Sequence, residues 1–315
     1  MATIRALAVE QDGADPAVID IPAPEAKAGE VLVRVRAASI NYYDHFVASG
    51  AMKDYAPYEY PAVVGNDVAG VVESLGEGVE SFVVGQRVFG TLGWKSPVHD
   101  GTFGELAVPL ATDLVTTPDG LDDRDAGALG VAGSTAVSAM KAIEPGDRTT
   151  VLVIGATGGV GSFATQLAAA RGATVIASVR PGDEEFVRDL GAAETVDYTD
   201  DLAADVRSRW PEGVDTLIDL VNRDPAAFAA VTELVKPGGI AVSAVGGAGE
   251  QTSIGEVRVG AVNGDEAHLG ELAGLVLDGK IRVAITREFP LERAAEALAE
   301  FVDEHTLGKF LITVD

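Results

Sequence analysis

The chain has 315 residues, 47% of them hydrophobic and 23% charged, which is enough apolar material for two ordinary cores and excludes a disordered chain. Acidic residues number 49 against 23 basic ones, a formal charge of -26 that repels nucleic-acid backbones and anionic bilayers. Cysteine is absent, so disulfides, Cys-ligated zinc and a thiolate nucleophile are excluded.

The opening MATIRALAVEQDG has no basic stretch followed by an apolar one, and no apolar run approaches ~20 residues. The expectation is a cytoplasmic protein with neither membrane nor nucleic acid as partner. Over the first 110 residues, β-type runs at 4–9, 31–38, 68–75, 87–89 and 104–108 are punctuated by turns at Gly29-Glu30, Gly76-Glu77-Gly78 and Gly85-Gln86. Such a segment predicts a small barrel or sandwich. A helix is predicted to start at Asp44, which serves as its N-cap.

From about Thr149 the texture changes. Short apolar runs at 150–154, 174–178, 194–197, 216–219 and 240–244 alternate with helical stretches at 159–171, 183–190, 200–209 and 225–235, the signature of βαβ units around a parallel sheet. Lys236-Pro237-Gly238-Gly239 reads as a helix stop. Beyond Gly264, amphipathic helices at 266–277 and 291–303 flank a β-like run at 282–285, and a last strand is predicted at 310–314.

The strand Val151-Leu152-Val153-Ile154 runs into Gly155-Ala156-Thr157-Gly158-Gly159-Val160-Gly161 and then into a helical pattern. Small residues here let the backbone turn sharply and approach a pyrophosphate that the helix's first N–H groups can bind. A glycine fingerprint alone is weak, but the strand before it, the helix after it and the further βα units supply the required context. Ala156, Thr157, Gly158, Gly159 and Val160 are the candidate phosphate-binding residues. Ala156 stands where Gly is commoner. At the end of the next strand, about 20 residues on, NAD sites place an acidic residue and NADP sites an Arg. Here the strand ends Ala177-Ser178-Val179-Arg180, so Ser178 and Arg180 point to NADPH, while Asp183, Glu184 and Glu185 follow closely and would repel a phosphate if they faced it.

Several further motifs occur in order: Ala38-Ser39-Ile40-Asn41-Tyr42-Tyr43-Asp44, Gly65-Asn66-Asp67-Val68-Ala69-Gly70-Val71-Val72, Val84-Gly85-Gln86-Arg87-Val88-Phe89-Gly90, Gly101-Thr102-Phe103-Gly104-Glu105 and the closing Gly308-Lys309. With these the chain resembles the medium-chain dehydrogenase/reductase superfamily, and within it the zinc-independent quinone oxidoreductases, the group that includes zeta-crystallin. The resemblance implies an α/β fold: a Rossmann doubly wound parallel sheet over 124–263, plus a GroES-like β-barrel catalytic domain from 1–123 and 264–315. It also implies an active site in the cleft where the two meet. Zinc-dependent relatives place Cys where this chain has Asn41 and Gly-His-Glu where it has Gly65-Asn66-Asp67, and the four histidines are scattered, so no metal is expected.

Without a Lewis acid, hydride delivery to a quinone or an α,β-unsaturated carbonyl is the favoured chemistry. By resemblance, Asn41 and Tyr55 are the candidate catalytic residues, with Tyr58 and Tyr60 competing with Tyr55. The resemblance places Thr135 near the nicotinamide, Tyr198 and Asn222 on the adenosine part, and Val245, Gly246 and Gly247 by the nicotinamide ribose or amide. It also implies a homodimer paired through an edge strand at 256–262. Two other readings stay open: a polyketide-type enoyl reductase, and a sensor or structural protein of the same fold that binds the nucleotide without turnover.

Overall fold

A computed structural model describes residues 2–315, and among these described residues the strands form one three-stranded and two seven-stranded sheets. The chain divides into two compact units. One takes the chain up to Val131 together with Glu266–Leu277 and Ile285–Asp315; the other takes Ala132–Asp265 and Asp278–Ala284.

In the first unit Thr3–Val9 pairs antiparallel with Ala17–Pro22 and with Ala62–Val63. Its larger sheet runs Ile285–Pro290, Lys309–Thr313, Val31–Ser39, Asp67–Leu75, Arg87–Thr91, Leu114–Thr116, with the short Leu106–Ala107 also against Val31–Ser39. Alternation of buried and open residues along Val31–Ser39 turns Val31, Val33 and Val35 inward, where they meet Val68, Val72, Val88, Phe103 and Ile312. Helix Ala294–Asp303 covers this core with Ala294, Ala297 and Leu298, spaced as one helical face. The segment after Arg87–Thr91 is pinned by Lys95, whose Nζ donates to Glu30 Oε1 at 2.7 Å, Asp100 Oδ2 at 3.0 Å and the Val108 carbonyl at 2.5 Å.

The second unit is built on the sheet Glu194–Asp197, Thr174–Val179, Thr150–Ile154, Val214–Asp219, Val235–Ser243, Val257–Ala261, Ser253–Ile254. Numbered along the chain, its parallel strands stand in the order 3-2-1-4-5-6, that of a dinucleotide-binding sheet. Val151 to Ile154 are all buried, as expected of a strand covered on both faces. Helix Gly159–Ala170 buries the small residues Gly161, Ala164 and Ala168 together with Phe163 and Leu167.

Several expectations are corrected. Lys236-Pro237-Gly238-Gly239 is not the helix stop: the helix ends at Thr232, and the four residues lie inside the strand Val235–Ser243 as an irregularity, where register passes from Val214↔Val235 to Thr216↔Ile240 and Gly238 takes φ +80°. The run 282–285 is not a strand up to Ile285, because the Arg282 backbone is occupied by the Gln166 side chain, which accepts from its N–H at 2.8 Å and donates to its carbonyl at 3.0 Å. The expected edge strand forms as Val257–Ala261 but is covered by Ser253–Ile254, paired antiparallel outside it. The N-cap of helix Tyr42–Ser49 is Asn41 rather than Asp44, which sits a turn inside and accepts from the Asn41 N–H at 2.7 Å.

Candidate active site

The strand Thr150–Ile154 ends at Gly155, which adopts φ +84° and packs so that any side chain would strike Val221 and Leu220. The turn delivers the chain into helix Gly159–Ala170 with Gly158 as N-cap and no side chain capping it, so the first N–H groups are presented outward with the positive end of the helix dipole. Gly161 allows the turn to lie against the helix; a Cβ there would overlap the Gly155 carbonyl and the Ala156 backbone. Ala156 and Thr157 are buried, while Gly158, Gly159 and Val160 are partly open. This donor set fits the pyrophosphate of a dinucleotide.

At the end of the neighbouring strand, Ser178 is buried and its Oγ accepts from the Gly155 N–H at 3.1 Å. Its hydroxyl braces the glycine turn instead of facing a ribose phosphate. Arg180 is the open member of the pair, bonded through Nε to Asp183 Oδ2 at 3.0 Å. Val179 pairs with Asp197, so Arg180 and Tyr198 leave the sheet side by side, and Tyr198 is 41% exposed.

Across the sheet, the strand Val214–Asp219 delivers a buried Asp219 whose Oδ1 accepts from the N–H groups of Val221 at 3.0 Å and Asn222 at 3.1 Å. Burial pushes the Asp219 carboxyl above its usual range, against the pull of those two N–H donors. The turn so held brings the Asn222 carbonyl against Gly247 and exposes Val221 beside Gly155. Of the candidates after Val235–Ser243, the N–H groups of Val245 and Gly247 are turned to Ser243 Oγ, at 3.3 and 3.1 Å, and Gly246 stands over open space. Thr135, on helix Gly130–Ile143, is 6% exposed, and Gly264 lies against the hydroxyls of Ser134 and Thr135.

In the first unit Asn41 lies in a buried cluster of charged and polar groups. Lys309 Nζ donates to Asn41 Oδ1 at 2.7 Å and to the Ile40 carbonyl at 3.0 Å, and stands 3.7 Å from Asp67 Oδ2. Asn41 Nδ2 donates to Asp67 Oδ2 at 2.9 Å and to the Ser39 carbonyl at 3.2 Å, and the Ser39 hydroxyl also donates to Asp67. Because an ammonium only donates and a carboxylate only accepts, the orientation of the Asn41 amide is fixed, and both its N–H bonds point inward. Asp67 Oδ1 accepts from the Val131 N–H at 2.7 Å. Burial lowers the Lys309 pKa, opposed by the charges of Asp67 and Asp44. Burial also raises Asp44 well above the carboxylate range, opposed by its bond from the Asn41 N–H. The cluster thus holds one ion pair and one carboxyl driven toward its neutral form.

Asn66 accepts from the Leu92 N–H at 3.0 Å through its side chain. Tyr55 ends the turn Ala51–Asp54 and is 75% exposed, whereas Tyr58 is tied by its hydroxyl to the Val47 carbonyl at 3.0 Å and stacks on Tyr60. Among the described residues no group of His, Cys, Asp and Glu could hold a metal ion, and no helix is long and apolar enough to cross a membrane. The sequence motifs include Lys309 and Asp67 without assigning them a role, and Asp219 is named in none of them; the signal of all three is a charged residue at the end of an otherwise apolar strand. Sequence reasoning also missed Val221, which carries no such signal.

Residues 27–119 match the model of the alcohol dehydrogenase GroES-like domain and residues 190–312 that of the zinc-binding dehydrogenases. The quinone oxidoreductase of Rattus norvegicus is 31% identical, over 92% of this chain and 90% of the relative. The NADPH-dependent alkenal/one oxidoreductase, chloroplastic, of Arabidopsis thaliana is 30% identical, over 93% of this chain and 74% of the relative. Among solved structures, the quinone oxidoreductase from Coxiella burnetii superposes with a TM-score of 0.86 at 26% identity, covering 100% of both chains.

Proposed function

Since this chain belongs to the medium-chain dehydrogenase/reductase superfamily, among the quinone oxidoreductases, we propose that it is an NADPH-dependent reductase of quinones or α,β-unsaturated carbonyls that works without zinc. It is an oxidoreductase of a nicotinamide-dependent family, acting on a small molecule. The observation that carries the finer reading is the chain's donor set. Where zinc-dependent relatives place Cys and His stand Asn41, bonded to Lys309 and Asp67, and Asn66, bonded to Leu92. An ammonium beside Asn41 already supplies positive charge there, and neither amide is a ligand that would hold zinc.

When bound, the nicotinamide supplies a hydride, and a conjugated acceptor spreads the incoming charge so that little stabilisation of its oxygen is needed. In this reading Asn41 forms a fixed polar wall of the acceptor site and Tyr55 donates its hydroxyl to the acceptor oxygen. On the cofactor side Gly158, Gly159 and Val160 bind the pyrophosphate. Arg180, Tyr198 and Asn222 take the adenosine end, and Thr135 and Gly246 border the nicotinamide end. A homodimer belongs to the same reading, with Ser253–Ile254 as the outer strand available for pairing.

Metal independence is directly testable. Protein dialysed against EDTA and verified metal-free by elemental analysis should oxidise NADPH with a quinone at its undialysed rate. A rate lost on dialysis and restored by Zn2+ would contradict the proposal.

A further inference from the structure

Asp183, Glu184 and Glu185 follow Arg180 closely, and carboxylates facing a 2′-phosphate would repel it. Two of them are engaged elsewhere. Glu184 Oε2 accepts from the Gly182 N–H at 2.8 Å, and Asp183 Oδ2 accepts from Arg180 Nε at 3.0 Å. Asp183 occupies the N-cap of helix Glu184–Asp189, yet its carboxylate makes no capping hydrogen bond. Its side chain is 10% exposed and that of Arg180 is 46% exposed, so the guanidinium is the open member of the pair and the carboxylate the covered one.

A guanidinium carries five N–H donors in a rigid plane. A contact through Nε alone uses one of them and leaves the Nη edge, the edge that forks onto phosphate oxygens. Arg180 follows Val179 at the carboxyl end of its strand, beside Tyr198, where a Rossmann sheet meets the adenosine ribose. We propose that Asp183 is a specificity-determining positioning residue, which by holding Nε of Arg180 presents the guanidinium's Nη edge to the 2′-phosphate of NADPH. The inference rests on the NADPH reading above. Holding the side chain in one rotamer before binding removes an ordering cost that the phosphate contact would otherwise bear.

The test compares Asp183→Ala, Asp183→Asn and Arg180→Ala. Dissociation constants are measured for 2′,5′-ADP and 5′-AMP, together with kcat and KM for NADPH and NADH. Asp183→Ala should weaken 2′,5′-ADP and raise KM for NADPH about three- to ten-fold, the effect of freeing one such side chain. The values for 5′-AMP and NADH, and kcat, should move much less. Asp183→Asn retains an acceptor for Nε and should recover part of the loss. Should Arg180→Ala erase the preference for the phosphorylated ligands while Asp183→Ala leaves it intact or strengthens it, the positioning role is overturned and the NADPH reading stands. Equal losses for both ligands in Asp183→Ala would reduce Asp183 to a structural residue and overturn the role as well. If Arg180→Ala itself leaves both ligands unchanged, it is the reading of Arg180 as the phosphate-binding residue that fails.

Discussion

Gly161→Ala should lower NADPH affinity by about ten- to a hundred-fold, the equivalent of ~1–3 kcal/mol of overpacking strain. In most helices the same change is favourable, because Ala is a better helix former than Gly by ~1 kcal/mol. Here the added Cβ meets the Gly155 carbonyl and the Ala156 backbone, which have no side chain to swing aside. The turn must move, and with it the N–H groups proposed to bind the pyrophosphate. Gly158→Ala is the control. Its φ of -75° suits any residue, and its Cβ would meet only the Gly155 carbonyl at an ordinary 3.6 Å, so its melting temperature should match the parent. Calorimetric titration with NADPH and a thermal melt of each variant check both statements. Unchanged affinity in Gly161→Ala would mean that the glycine turn does not carry the cofactor.

Lys309→Met should destabilise the first unit by ~3–5 kcal/mol, the usual cost of removing one partner from a buried ion pair. Asp67 is fully buried, and although Ser39, Asn41 and Val131 still donate to it, its charge would face no cation. Adding Asp67→Asn should recover part of the loss. Without the ammonium, the Asn41 amide is free to turn its oxygen toward the new amide hydrogens. Urea denaturation of the single and double variants measures this. A double variant no more stable than Lys309→Met alone would mean that the loss comes from packing around the lysine stem and not from the stranded carboxylate.

How much of this is legible in the sequence depends on the kind of physics involved. The parallel strands are readable because a strand buried on both faces must be a continuous apolar run, as Val151 to Ile154 are. The glycine turn is readable because its spacing is imposed by backbone contact, and Gly155 and Gly161 show that contact. The small strands Ala17–Pro22 and Leu114–Thr116 are not, since their place depends on partners distant along the chain. Polar and charged side chains are the hardest. Ser178 and Arg180 look alike as candidate phosphate donors, but burial gives the first to the Gly155 N–H and leaves the second open. Lys309 looks like a surface residue by type and is 2% exposed, because Asn41, Ile40 and Asp67 converge on it from elements remote in sequence. Asn41 is singled out by the resemblance, as the residue standing where zinc-dependent relatives place Cys. What it bonds to follows only from the fold.

The most direct test of the proposed activity is the loss of NADPH absorbance with benzoquinone, naphthoquinone, a short enone and a simple ketone, each repeated with NADH. The expected result is fast oxidation of NADPH by a quinone or the enone, slow oxidation by the ketone, and slower rates throughout with NADH. NADPH that binds tightly and is oxidised by none of these acceptors would contradict the account and favour a protein that holds the nucleotide without turning it over.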